Sequence, residues 1–321
     1  MDFELSDDQQ ALAEGVAALC AGRFAMDAVR AMQADGLDRG RWSELAETGV
    51  FALCLDEAEG GVGLGWAEAA VVFEQLGATL VPGPLVATTL AAGLVEGAAD
   101  GTVVVATIER SAGPVNVEHV AWADLVVISD DNGLWSAPAA DLVGAEAAHP
   151  LDPLTPVRRV EALPQGEQIA DAAAAVDWRL RGALLTSALQ LGVSIGATDL
   201  AVAYAKEREQ FGRPIGKFQA VKHRCADMVT RVEVLRAAVY AAAVTLDGRG
   251  VDSPQRSVSV AKILASSAAA ACGKDCIQVH GGMGYTWEVD AHLFLKRAWV
   301  LDLAFGEGDE LAEELAADLV S

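Results

Sequence analysis

The spacing of hydrophobic and polar positions changes character twice along the chain. From about residue 3 to residue 100 apolar residues recur at helical intervals. Leu12, Val16 and Leu19 fall on one face behind Ser6 and Gln9, a pair spaced for a capping box. Further helices are expected over 41–48 and 66–76. The glycine-rich run Glu59-Gly-Gly-Val-Gly-Leu-Gly65 between them reads as an interhelical turn, because no strand-helix-strand unit surrounds it. Val81-Pro-Gly-Pro84 interrupts the pattern before a last apolar run from Leu85 to Val95.

From Gly101 the period shortens. Thr102–Thr107, Leu125–Ser129 and Leu134–Ala137 are short β-branched or aromatic runs, and Asp130-Asp-Asn-Gly133 joins two of them as a hairpin. A further strand is expected at 157–161, among Pro150, Pro153, Pro156 and Pro164. The helical period returns near Ile169 and persists in four long stretches, about 177–209, from after Gly216 to 246, 254–280 and 289–303. The pattern predicts a mainly α chain with an N-terminal helical domain over 1–100, a short middle β domain over 101–168 and a C-terminal four-helix bundle over 169–321.

Composition narrows the possible roles. With 321 residues and 52% hydrophobic content, the chain can bury a large core. A net charge of -23 argues against nucleic acid as a partner. The acidic start, Met1 to Asp8, lacks the basic and apolar regions of a secretory signal, and the weakly charged run 182–203 carries Thr186, Ser187, Gln190, Ser194, Thr198 and Asp199. A cytoplasmic protein without a membrane span is expected. Cys20, Cys54, Cys225, Cys272 and Cys276 show neither disulfide nor zinc spacing and are expected as core thiols, with no metal site.

Against the acidic background, 206–224 is a basic island. Lys206, Arg208, Arg213, Lys217, Lys222 and Arg224 face only Glu207 and Glu209, which asks for an anionic ligand or, more plainly, for a surface ion pair of Arg208 with either glutamate. Arg208 can fork onto phosphate oxygens, while Gln210, Gln219 and, further on, Gln278 offer amide donors and acceptors. Gly281 and Gly282 permit close backbone approach, Phe211 can lie against a ring or simply pack in the turn, and His280 reads as a helix-end histidine.

Arg208-x-Gln-Phe-Gly-x-Pro-Ile-x-x-Phe-Gln219 and Gln278-Val-His-Gly-Gly-Met-Gly-Tyr285 resemble the two bundle signatures of the acyl-CoA dehydrogenase family. Weaker similarity covers Trp42-x-Glu-Leu-Ala-Glu-x-Gly and Glu57-x-x-Gly-Gly-Val-Gly-Leu-Gly65. The resemblance implies FAD as cofactor, an acyl-CoA substrate, and a role for Arg208, Gln210, Phe211, Gln219, Gln278, Gly281 and Gly282 in holding the ADP half of an FAD lying mainly on a neighbouring subunit. The family's Thr-Glu-Pro-x-Ala-Gly-Ser-Asp segment, which cradles the flavin, has no counterpart in 101–166. Its catalytic glutamate position falls on Gly306, after Phe305, with Glu307 one residue late and Gly308-Asp309 following; the alternative base position falls on Gly182.

That combination is similar to the smaller subunit of the heterotetrameric acyl-CoA dehydrogenases of steroid-degrading actinobacteria. It implies a longer dehydrogenase-like partner in a two-plus-two assembly and an electron acceptor such as electron-transfer flavoprotein. Two other readings stay open. One is a self-sufficient homo-oligomer with Glu307 as catalytic base, and the other is a scaffold subunit without flavin.

Overall fold

The computed structural model describes residues 5–250 and 253–320, with the side chains of 319 and 320 excepted. Among the described residues ten α-helices and nine short strands form two compact units. One comprises 1–26, 70–81 and 183–321, and the other 27–69 and 82–182.

In the first unit, helix α1 (Asp7–Arg23) starts at the expected capping box. The Ser6 hydroxyl accepts from the Gln9 N–H at 3.2 Å, and the Gln9 side chain accepts from the Ser6 N–H at 3.1 Å. Helix α2 (Met26–Asp35) was not foreseen as a separate element, whereas α3 (Arg39–Glu47) lies where a helix was expected. Helix α4 (Trp66–Ala78) follows the glycine-rich turn, and α5 (Leu85–Ala91) ends four residues short of the expected run.

The second unit includes α3, whose Trp42 stacks on Phe51 at 4.6 Å. The glycine-rich run closes on itself. Val62, Gly63 and Leu64 donate their N–H groups to the carbonyls of Ala52, Leu55 and Leu53, and a Cβ on Gly61 would meet the Leu55 carbonyl at 1.9 Å. Its donors are consumed locally, so it is a tight turn rather than a phosphate loop.

Strands β1 (Val105–Glu109), β2 (Val115–Glu118), β3 (Leu125–Asp130), β4 (Gly133–Pro138), β5 (Gly144–Glu146), β6 (Val157–Val160) and β7 (Glu167–Asp171) form two sheets, ordered β1-β3-β4-β7 and β2-β6-β5. The β3–β4 hairpin turns at Asp131-Asn132, as expected. Val117, Val126, Ile128, Ala137, Leu142 and Val160 share its core. Strand β7 occupies residues where the helical period was expected to have resumed. Its sequence, Glu-Gln-Ile-Ala-Asp, has poor strand propensity and takes its form from pairing with β4.

The long helices are α6 (Ala172–Glu207), α7 (Gln219–Leu246), α8 (Pro254–His280) and α9 (Ala291–Leu303), followed by α10 (Gly308–Val320). A two-residue-strand hairpin, β8 (Glu209–Gln210) and β9 (Arg213–Pro214), links α6 to α7. Small residues let these helices approach closely. A Cβ on Gly192 would strike the Glu74 carbonyl at 2.0 Å, and one on Gly273 would meet the Leu295 backbone at 2.8 Å. Helix α6 is the described helix long and apolar enough by composition to cross a membrane, and most of its apolar window is buried within the protein.

Candidate functional site

The two bundle motifs meet at one end of the first unit. Tyr204, one turn before Arg208, stacks on His280 with ring centroids 4.2 Å apart, and His280 lies two residues beyond Gln278. The buried His280 donates its Nδ1–H to the Cys276 carbonyl at 2.8 Å. Its ring is therefore a packing element that joins α6 to α8. Asp275, one turn before Gln278, ties α8 to α7: Arg231 bonds one carboxylate oxygen at 2.7 Å and Arg224 bonds the other. With α7 antiparallel to α8, the Gln219 end of α7 falls at this same end of the bundle.

Between α6 and α7 the chain reverses over Phe211 and Gly212, with φ of 53° and 75°. Two successive positive φ values make this a hairpin turn of the kind Asn-Gly usually fills. A phenylalanine there is strained by roughly 1 kcal/mol or more. The residue is nonetheless 92% exposed, and its ring meets Phe218 edge-on at 6.0 Å. Arg213 lies over Phe218 at 4.3 Å.

The surrounding polar groups are mostly uncommitted. Neither Glu207 nor Glu209 pairs with Arg208, whose exposed guanidinium has no ion pair or side-chain hydrogen bond among the described residues. Gln219 and Gln278 are exposed, and the positions where Gly281 and Gly282 would carry a Cβ are open for 4 Å. Gly281 adopts φ 61°, ψ -137°, and its N–H closes the helix onto the Gln278 carbonyl. What Gly281 offers a ligand is thus room rather than a donor. The Gln210 amide donates to the neighbouring Glu209 carbonyl at 2.8 Å.

The second candidate region follows α9. Ala304 leaves the helix, Phe305 and Gly306 take φ of 57° and 107°, and the exposed Glu307 precedes α10, accepting the Leu311 N–H at its carbonyl. Gly182 is buried within α6. Neither family base position, Gly306 or Gly182, carries a carboxylate. Beneath the turn lies a residue that periodicity gave no reason to single out, the fully buried Lys262 of α8. Burial pushes its ammonium down to about 8, against the pull of the Asp302 and Glu307 carboxylates. The sequence signal was a lysine set among Val258, Ala261, Ala265 and Ala269, an apolar stripe.

Cys272 and Cys276 are buried, and burial pushes their thiols up to about 11 and about 12, which makes them poor nucleophiles. Among the described residues no cluster of three His, Cys, Asp or Glu side chains is placed to hold a metal.

Comparison with known proteins agrees with this architecture. Residues 6–101 match the family described as acyl-CoA dehydrogenase, N-terminal domain, and 179–319 match acyl-CoA dehydrogenase, C-terminal domain. The chain is 35% identical over 335 residues to the acyl-CoA dehydrogenase IpdE2 of Mycolicibacterium smegmatis, covering 98% of this chain and 100% of that protein. Two solved structures share the fold. One is a chain of the ChsE4-ChsE5 complex from Mycobacterium tuberculosis, with 22% identity, TM-score 0.87 and coverage of 100% of this chain and 99% of that one. The other is a Tcur3481-Tcur3483 steroid ACAD variant, with 24% identity, TM-score 0.84 and coverage of 98% of each chain.

Proposed function

We propose, from the premise that this chain belongs to the acyl-CoA dehydrogenase family, that it is a subunit of an FAD-dependent acyl-CoA dehydrogenase and completes the ADP half-site for a longer catalytic partner. The observation that carries this reading is the set of exposed, uncommitted groups at one bundle end. Arg208 has no ion pair among the described residues, Phe211 is exposed on a strained turn, and the Cβ positions of Gly281 and Gly282 are open. Strain retained to display an apolar ring, beside a free cation in a chain of net charge -23, suits a ligand combining phosphate with a flat ring.

The residues fit the ADP portion of FAD. Arg208 would bond a pyrophosphate oxygen, Gln219 and Gln278 would supply neutral donors and acceptors, and Gln210 and Phe211 would flank a ring. FAD, when bound, supplies a hydride acceptor for α,β-dehydrogenation of an acyl-CoA thioester. The reaction also needs a base for the α-proton. The absence of a carboxylate at Gly306 and Gly182 supports a base on the partner. The named complex ChsE4-ChsE5 and the steroid ACAD among the structural matches support a heteromer acting on a steroid-derived acyl-CoA; a two-plus-two tetramer in the cytoplasm is part of the same proposal. Reoxidation would fall to an acceptor such as electron-transfer flavoprotein.

The test is co-expression of the full chain with its longer partner, followed by flavin titration of the purified complex. Arg208→Ala should weaken FAD binding by about tenfold or more, the loss of a charge-assisted hydrogen bond to phosphate. Gln278→Ala should act in the same direction. Full flavin occupancy in both variants would overturn the assignment. A second reading, with Glu307 as the base of a self-sufficient enzyme, draws support from the buried Lys262 bonding the Leu301 and Asp302 carbonyls shortly before that turn.

A further inference from the structure

Lys262 is fully buried, yet no carboxylate lies within 4.0 Å of its ammonium among the described residues. Its hydrogen bonds go to the carbonyls of Leu301 at 3.1 Å and Asp302 at 2.9 Å, with a third to the Ser266 hydroxyl at 3.3 Å. Leu301 and Asp302 belong to the last turn of α9, where carbonyls run out of i+4 helical donors; the Leu301 carbonyl also accepts from the Ala304 N–H at a long 3.4 Å. The helix dipole makes that end negative, and a cation placed there is favoured.

The cap thus comes from a different helix, α8, and is held from below. Ser266, one turn along α8, also accepts from the Gln190 amide of α6 at 3.4 Å. A second feature points the same way. Asp302 Oδ1 is buried without a hydrogen-bond partner among the described residues, and the Asp302 carboxylate acts on the Lys262 charge. The charges bearing on the ammonium are Asp302 of α9 and Glu307 at the head of α10, while α6 and α8 contribute the neutral Gln190 and Ser266. Three and four residues past Asp302, Phe305 and Gly306 take left-handed backbone conformations, which persist only where their surroundings fix them.

We propose that Lys262 is a positioning residue: its buried ammonium caps α9 from the neighbouring helix and thereby sets where the Phe305-Gly306-Glu307 turn stands. The inference goes beyond the proposed flavin role and does not need it. If Glu307 is the base, Lys262 sets its reach; if the base is on the partner, Lys262 fixes the surface the turn presents.

The experiment is amide hydrogen exchange by mass spectrometry on the full chain in its purified assembly. Rates are corrected for intrinsic chemistry and compared between wild type and Lys262→Met. In the variant, amides of 300–311 should exchange about tenfold faster, the loss of one hydrogen bond to a charged donor, while those of α7 keep their rates. Wild type moved from about pH 7 to about pH 9.5, past the point where the buried ammonium loses its proton, should show the same local acceleration, and the variant should show none beyond it. Ethylammonium added to Lys262→Ala should restore slow exchange where ethanol does not. Unchanged exchange at 300–311 in the variant overturns the proposal, as does acceleration spread evenly through α7 and α8. The wild-type pH arm needs no variant: a turn with equal protection at both pH values also overturns it.

Discussion

Replacing Lys262 with methionine should abolish one component of the pH dependence of stability. The side chain is fully buried, and its folded-state pKa of about 8 lies well below the ordinary lysine value of 10.5. That gap corresponds to about 3 kcal/mol. Below about pH 8 the ammonium is charged in both folded and unfolded chains, and the full penalty of burying it opposes folding. Between about 8 and about 10.5 the unfolded chain keeps a proton that the folded chain has released, so stability rises with pH through this window. Above about 10.5 both forms are neutral and the penalty is gone.

Methionine fills similar volume with no charge, so the variant lacks this term. It also loses the bonds that the ammonium makes to Leu301 and Asp302, a loss of about 1–3 kcal/mol near neutrality. The two proteins should therefore be close in stability near neutrality, and wild type should gain about 3 kcal/mol on the variant between about pH 7 and about pH 11. Urea unfolding of both, followed by tryptophan fluorescence at three pH values, measures the difference, in which titrations common to the two chains cancel. A difference that stays flat across the window, within about 0.5 kcal/mol, would refute a charged and buried Lys262.

Two other substitutions probe the candidate site. Phe211→Asn should stabilise the chain by up to about 1 kcal/mol, because Asn tolerates the left-handed conformation before Gly212, while lowering FAD retention in the complex. A rise in thermal midpoint with unchanged flavin binding would remove the ring from the ligand site. Glu307→Gln in the complex should leave kcat within about twofold if the base is on the partner, and lower it by about 100-fold or more if Glu307 is the base. Steady-state turnover at saturating acyl-CoA decides between the two.

The fold was legible where the local signal and the tertiary demand coincide. The capping box at Ser6 and the hairpin at Asp130–Gly133 rest on side chains bonding their own neighbourhood, and the Pro254 start of α8 rests on the fixed φ of proline, so sequence alone reveals them. Strand β7 was hidden because its polar residues become a strand only by lying against β4. The motif residues at 208–219 and 278–282 were legible through their resemblance to a family, and the strained Phe211 turn was not, because a backbone angle leaves no trace in composition. Asp275 looked like any helix-surface carboxylate until the structure set it against Arg224 and Arg231.

Sequence by itself determined the succession of helical and strand periods, the basic island at 206–224 and the lack of a carboxylate at positions 306 and 182. These are properties of order along the chain, where the periodicity of burial and the identity of each side chain are written directly. Only the tertiary structure decided that Tyr204 and His280 stack to bring two motifs together, that Arg208 has no ion pair among the described residues, and that Lys262 is buried against the end of α9. Such facts depend on which distant residues exclude water from one another, and the free energy of a charge or a ring is set by those neighbours rather than by its place in the sequence.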